Sequence, residues 1–250
     1  MLETCVNQAA GLQSIASQTG PLVIAMASHG KQAGELPLLW SLCSTLVDFG
    51  YPVAVLDATS IETANNPGLE QLLDDDYLRG DESGEPLSWS VIPAARGLQR
   101  LCTQHASMGF PLGPLAGLFE SFGVIVIYAR ADMLTPLLSD SGIEPLLTVS
   151  GQTSPVTAYQ ALKQMLLNAK LRPTIATIVS ESFPSNAMAN SSPVSNLQEC
   201  AMTFLGYQFD ILTVRGSQPG DRATDDVNRL ALRLLENAMP LHRNLFTGSH

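Results

Sequence analysis

Apolar residues come in short, unbroken runs separated by polar loops and by stretches of helical periodicity. PLVIAMAS (21–28) is one such run, and it ends at a glycine-containing loop. An unbroken apolar run of this length fits a strand buried on both faces, as in a parallel sheet. The loop HGKQAGELP leads into LLWSLCSTLVDFG, which predicts a helix closed by Gly50. PVAVLDA (52–58) predicts a second buried strand. Strand, loop, helix and strand in this order are the mark of a βαβ unit.

The alternation continues along the chain. A polar, acidic loop over about 59–88 precedes a third strand in LSWSVIPAA (87–95) and a helix around 96–106. LAGLFESF reads as helix or turn, followed by a fourth strand, GVIVIYA (123–129), and a fifth, PLLTVSG (145–151). In 153–170 Ser154 is placed to cap a helix and Pro155 suits its first turn. A sixth strand is expected in 173–181, a Ser/Pro/Asn-rich loop over 182–193, a helix over 194–204 and a last strand in 207–215. Val227, Leu230, Leu234 and Ala238 make 222–239 an amphipathic helix. Residues 3–18 predict a short helix through Val6, Ala9, Ala10 and Leu12, ended by Gly20-Pro21. The expected fold is therefore α/β, a doubly wound and mostly parallel sheet flanked by helices. Residues 1–20 form a helical appendage, 21–240 the domain and 241–250 a tail.

Composition narrows the function classes. Of 250 residues 45% are hydrophobic and only 14% charged, enough for a sizeable core. Thirteen basic residues against 23 acidic ones give a net charge of −10, which argues against a nucleic-acid partner. Cys5, Cys43, Cys102 and Cys200 lie far apart and read as reduced thiols of a cytoplasmic protein. No apolar run reaches the ~18 residues of a membrane span. The start of the chain lacks the basic and apolar regions of a secretory signal. The last helix begins with Asp225 and Asp226 and carries only Arg229 and Arg233, too little cationic charge for a lipid surface. His105 and His242 have no ligand-spaced neighbours, Asp74 to Asp76 read as a solvated face, and no nucleophile motif occurs, so neither a metal nor a hydrolase triad is expected.

The stretch 27–59, ASHGKQAGELPLLWSLCSTLVDFGYPVAVLDAT, resembles the opening of the MinD/ParA family of deviant P-loop ATPases, whose loop reads K-G-G-x-G-K-[ST] and whose second strand ends in D-x-D. Ser28, Gly34, Gly50 and Asp57 fall on matching positions. The residues that do the family's chemistry do not. Gly30 stands for the signature lysine, Glu35 for the P-loop lysine, Leu36 for the magnesium-binding hydroxyl and Thr59 for the second aspartate. Tyr128 stands for the aspartate of a later D-x-P strand. Lys31 is one residue off the signature position. The resemblance thus implies a P-loop fold with a vestigial site at Gly30, Lys31, Gly34, Glu35, Leu36, Asp57, Thr59 and Tyr128. It implies no catalytic residue, no cofactor and no metal. His29 and Lys31 are expected to be solvated loop residues, and Tyr128 a strand tip released from its former role.

VNQAAGLQSI (6–15) is similar to the N-terminal helix of the flagellar-number regulators of the MinD group, FlhG or FleN, through Gln8, Ala9 and Leu12. There such a helix stimulates an FlhF-type GTPase through its glutamine; on most proteins a helix of this kind simply packs. VIPAARGLQRL (91–101) and TSPVTAYQALKQM (153–165) also resemble segments of flagellar members, the latter through Tyr159 and Lys163. The expectation is a non-hydrolysing, protein-binding regulator of flagellar or other cell-surface machinery. Without the signature lysine only weak, nucleotide-independent homodimerisation is expected. The alternatives are an active ATPase with an unusual loop, or a paralogue serving a polar pilus or an exopolysaccharide synthase.

Overall fold

The computed structural model describes residues 20–30, 35–74, 88–105, 111–139, 141–150, 155–179, 193–215 and 224–241. The strands are β1 (Leu22–Ser28), β2 (Val53–Asp57), β3 (Trp89–Pro93), β4 (Val124–Arg130), β5 (Leu146–Ser150), β6 (Thr174–Val179), β7 (Ile211–Arg215) and β8 (Met239–Pro240). The helices are α1 (Glu35–Asp48), α2 (Leu69–Leu73), α3 (Ala95–His105), α4 (Leu115–Leu118), α5 (Ala131–Leu138), α6 (Pro155–Ala169), α7 (Pro193–Leu205) and α8 (Asp225–Glu236). The strands make one sheet in the order β3-β2-β4-β1-β5-β6-β7. Every pairing along it is parallel, and β8 adds an antiparallel pairing at Leu22 and Val23 of β1. The α/β reading of the sequence holds.

The apolar runs are continuous because the sheet is covered on both sides. Successive side chains of a strand face opposite ways. Ile24, Met26, Val124, Val126 and Tyr128 accordingly share one core with Leu39, Leu42 and Leu46 of α1 and Leu230 and Leu234 of α8. Val23, Ala25, Ala27, Ile125 and Ile127 face the other core, with Leu98, Leu134 and Leu162 from α3, α5 and α6. Truncations in either core carry the usual cost of a cavity, about 2–5 kcal/mol for Leu→Ala.

Several elements depart from the sequence expectation. Helix α1 starts at Glu35, three residues before the apolar run, because Pro37 in a first turn needs no N–H partner. Helix α5 was not anticipated, since Pro136 lies inside it. The acidic loop holds the short helix α2. The last helix stops at Glu236, and the chain turns back as β8; Leu241 is buried and its N–H donates to the Pro21 carbonyl. Residues 3–18, 75–87 and 182–192 lie outside the described residues. Among the described residues no helix is long and apolar enough to cross a membrane.

Three described helices are followed by a residue in the left-handed region. Gly50 (φ 90°) closes α1 and Gly206 (φ 60°) follows α7, both in the left-handed region that suits glycine. After α6 the same turn is made by Lys170 (φ 54°), with the Leu171 N–H donating to the Met165 carbonyl. A side chain there is strained. Lys170→Gly is expected to stabilise the protein by about 0.5–1 kcal/mol, less than the full strain because glycine also loosens the unfolded chain. The urea midpoint should rise; a lower midpoint would contradict this.

Candidate functional site

The chain runs from β1 outward to β2 and β3, returns to β4 beside β1, and then crosses to β5. The crevice at the carboxyl ends of β1 and β4 is thus the point where the winding reverses, the usual ligand position of such sheets. The register sets Asp57 beside Tyr128 and Met26 beside Tyr128, so Ser28, Asp57 and Tyr128 gather at this edge on the α1 side.

Glu35 enters this cluster from the first turn of α1, and its side chain is only 3% exposed. The Tyr128 hydroxyl donates to Glu35 Oε2 at 2.6 Å. The His29 backbone N–H donates to Oε1 at 3.0 Å and approaches Oε2 at 3.3 Å. A carboxylate in the first turn also meets the positive end of the helix dipole. Ser28 Oγ accepts the Gly30 N–H at 3.2 Å, and Gly30 (φ 77°) makes the turn that starts the loop. Burial raises the Tyr128 phenol above its ordinary pKa; the hydrogen bond to Glu35 raises it further, while Ser28 works against the shift. Tyr128 is therefore a neutral donor throughout the physiological range.

Asp57 is occupied by its own loop. Its Oδ1 accepts from the Thr59 N–H at 2.8 Å and the Thr59 hydroxyl at 2.6 Å, and its Oδ2 from the Ser60 hydroxyl at 2.6 Å. Leu36 packs against the α1-side core.

Two expectations are corrected here. Tyr128 is not a released strand tip: it is fully buried and locks Glu35 in place. His29 is not a solvated loop residue: its backbone holds Glu35, and its Nε2 lies 2.8 Å from the Thr148 carbonyl oxygen, which the Nε2–H tautomer donates to. Arg130 and Asp132 form an exposed ion pair, 3.3 Å apart. Gln8, Ala9, Leu12, Lys31 and Gly34 lie outside the described residues.

Two groupings escaped the sequence reading. The first is the pairing of Glu35 with Tyr128, whose only signal in the sequence is that an acid and a phenol both stand around one expected site. The second is Glu62, fully buried, whose carboxylate accepts the Arg96 and Gly97 N–H groups at 2.8 Å each and so caps α3 from a distant loop. Among the described residues no group of His, Cys, Asp and Glu could hold a metal ion.

No family model matches the chain, and no curated protein matches it. Solved structures do. Cobyrinic acid a,c-diamide synthase from Mycobacterium smegmatis, with a bound ATP analogue and magnesium, is similar at 15% identity and TM-score 0.54, covering 86% of this chain and 95% of its own. MinD in the MinC:MinD cell division complex of Aquifex aeolicus is similar at 15% identity and TM-score 0.50, covering 88% of this chain and 98% of its own. A plasmid partition protein from Borrelia burgdorferi is similar at 14% identity and TM-score 0.49, covering 87% and 97%. At these identities the likeness to the first two establishes the fold alone, an α/β fold similar to those of cobyrinic acid a,c-diamide synthase and MinD.

Proposed function

We propose that this protein is a non-hydrolysing member of the MinD/ParA type that acts as a protein-binding regulator. The observation that carries this reading is the position of Glu35. Its carboxylate lies buried at the start of α1, satisfied by His29 and Tyr128. A P-loop uses a helix start of this kind to receive a phosphate, with a lysine to balance the charge. In this chain an internal anion holds the place of the lysine. A phosphate oxygen 4 Å from that carboxylate would meet a repulsion on the order of 4 kcal/mol at an effective dielectric near 20. Leu36 supplies no hydroxyl for magnesium, and both oxygens of Asp57 are engaged by Thr59 and Ser60. These residues do not fit a magnesium-nucleotide, and no hydrolytic step is assigned to them.

The remaining role for such a fold is to present surfaces. MinD, whose fold is similar, forms a cell division complex with MinC. The similarity of residues 6–15 to the flagellar regulators points to an FlhF-type GTPase as partner, contacted through Gln8, Ala9 and Leu12, and to flagellar or other surface machinery as the setting. Residues 1–20 would then be an appendage reaching away from the domain, and the protein would work in the cytoplasm.

Calorimetry with ATP and magnesium tests the first part, with no heat of binding expected up to millimolar nucleotide. Micromolar binding would overturn it. A GTPase assay of the partner with a peptide of residues 1–20, wild type and Gln8→Ala, tests the second. Acceleration that depends on Gln8 is expected, and neither binding nor acceleration would remove it.

A further inference from the structure

The opposite edge of the sheet, at the amino ends of β5, β6 and β7, holds a cavity of about 330 Å³. Its wall includes Glu144 just before β5, Arg172 just before β6, Tyr207 and Asp210 ahead of β7, and the apolar side chains of Phe209 and Leu212. From these residues the structure assigns a binding site for a free α-amino acid with an apolar side chain, independent of the nucleotide-loop reading above.

The lining carries both signs of charge that a zwitterion requires. Glu144 is a fixed acceptor. Its Oε2 receives the Thr174 hydroxyl at 3.2 Å, the Asn237 amide at 3.0 Å and the Arg233 guanidinium at 3.3 Å. All three donors converge on one oxygen, which leaves Oε1 without a partner among the described residues. Donors from β6 and from α8 and its C-cap hold that carboxylate still, so a ligand need not order it. Asp210 is exposed and carries no ion pair among the described residues. Arg172 is exposed as well and makes no ion pair there. The Tyr207 phenol is raised by burial, lowered by Arg172 and raised by Glu144, which places it in the field of both charges.

The lining thus offers a guanidinium and a phenol for a carboxylate, and carboxylate oxygens for an ammonium. A simple anion would meet Glu144 and Asp210, and a simple cation would meet Arg172 and Arg233. A ligand with both charges a few bonds apart satisfies each set. Phe209, which is 8% exposed, and Leu212 are apolar residues of the lining. The volume is at the lower end of the range of small-molecule sites, as suits an amino acid.

The test is calorimetry of the full chain, without nucleotide, against L-leucine, L-phenylalanine and L-methionine, with N-acetyl-leucine and leucinamide as ligand controls. At least one free amino acid is expected to bind with a dissociation constant below 1 mM, about −4 kcal/mol. The capped controls should bind at least tenfold more weakly. Arg172→Ala and Asp210→Asn, both exposed and remote from the core, should each weaken binding at least tenfold. Absence of binding by all three amino acids would overturn the assignment. So would equal binding of the capped controls, a comparison that needs no variant to fold. Because the assay contains no nucleotide, its failure leaves the Glu35 reading intact.

Discussion

Replacing Tyr128 by phenylalanine is expected to destabilise the protein by about 2–3 kcal/mol, although only one oxygen atom is lost. The hydroxyl is the donor to Glu35 Oε2 at 2.6 Å, in a cluster closed to water. Hydrogen bonds to charged groups contribute about 1.5–3 kcal/mol, and removing one partner leaves the other desolvated and unmatched. Phenylalanine fills nearly the same space, so packing adds little. Glu35→Leu should cost a similar amount, because the Tyr128 hydroxyl and the His29 N–H then lose their acceptor. The double variant should cost clearly less than the sum of the two, since it removes donor and acceptor together. Urea denaturation of the four proteins gives the coupling energy directly. A coupling of about 2 kcal/mol is expected; one below about 0.5 kcal/mol would mean that the pair does not hold the loop.

Alkaline pH should destabilise the protein strongly. Burial on the sheet side of α1 raises the Cys43 thiol from its ordinary value near 9 to about 12. A group whose folded pKa is raised favours folding fully below its unfolded pKa. That contribution is lost as pH rises toward the folded value, because the unfolded thiol can ionise while the buried one cannot. At about 1.4 kcal/mol per decade, Cys43 alone should cost on the order of 3 kcal/mol between pH 9 and pH 11. Tyr128 acts in the same direction above the ordinary phenol pKa of about 10. Denaturation midpoints at pH 8 and pH 11 check this. Cys43→Ala should remove a substantial share of the loss, at some cost in packing at both pH values, and the rest comes from Tyr128 and from Cys102, whose thiol burial raises to about 11. A wild-type midpoint unchanged at pH 11 would contradict the prediction.

Much of this molecule is written locally. Unbroken apolar runs such as LVIAMAS can be satisfied only by a strand covered on both faces. The alternation of such runs with helical periods, closed at Gly50, is enough for the doubly wound fold. Helix α5 escaped detection because Pro136 masks its periodicity, and packing against β1, β4 and α6 outweighs the proline. The turn into β8 escaped because its two residues gain their hydrogen bonds only from β1.

The candidate site divides along the same line. Sequence alone determined the sheet, its buried strands, the loop after β1 and the residue types that stand there: Glu35, Leu36, Asp57, Thr59 and Tyr128. Only the tertiary structure decided what those types do. Glu35 and Tyr128 are 93 residues apart, and no local pattern couples them. Parallel register places β4 beside β1, the first turn of α1 descends on that edge, and a carboxylate and a phenol become buried partners. Glu144 shows the same physics at the far edge, where donors from β6 and α8 converge on one oxygen. Backbone preference and apolar burial depend on near neighbours and their spacing, so a sequence displays them. A buried polar contact depends on which strands lie side by side, and that is fixed only when the whole sheet has formed.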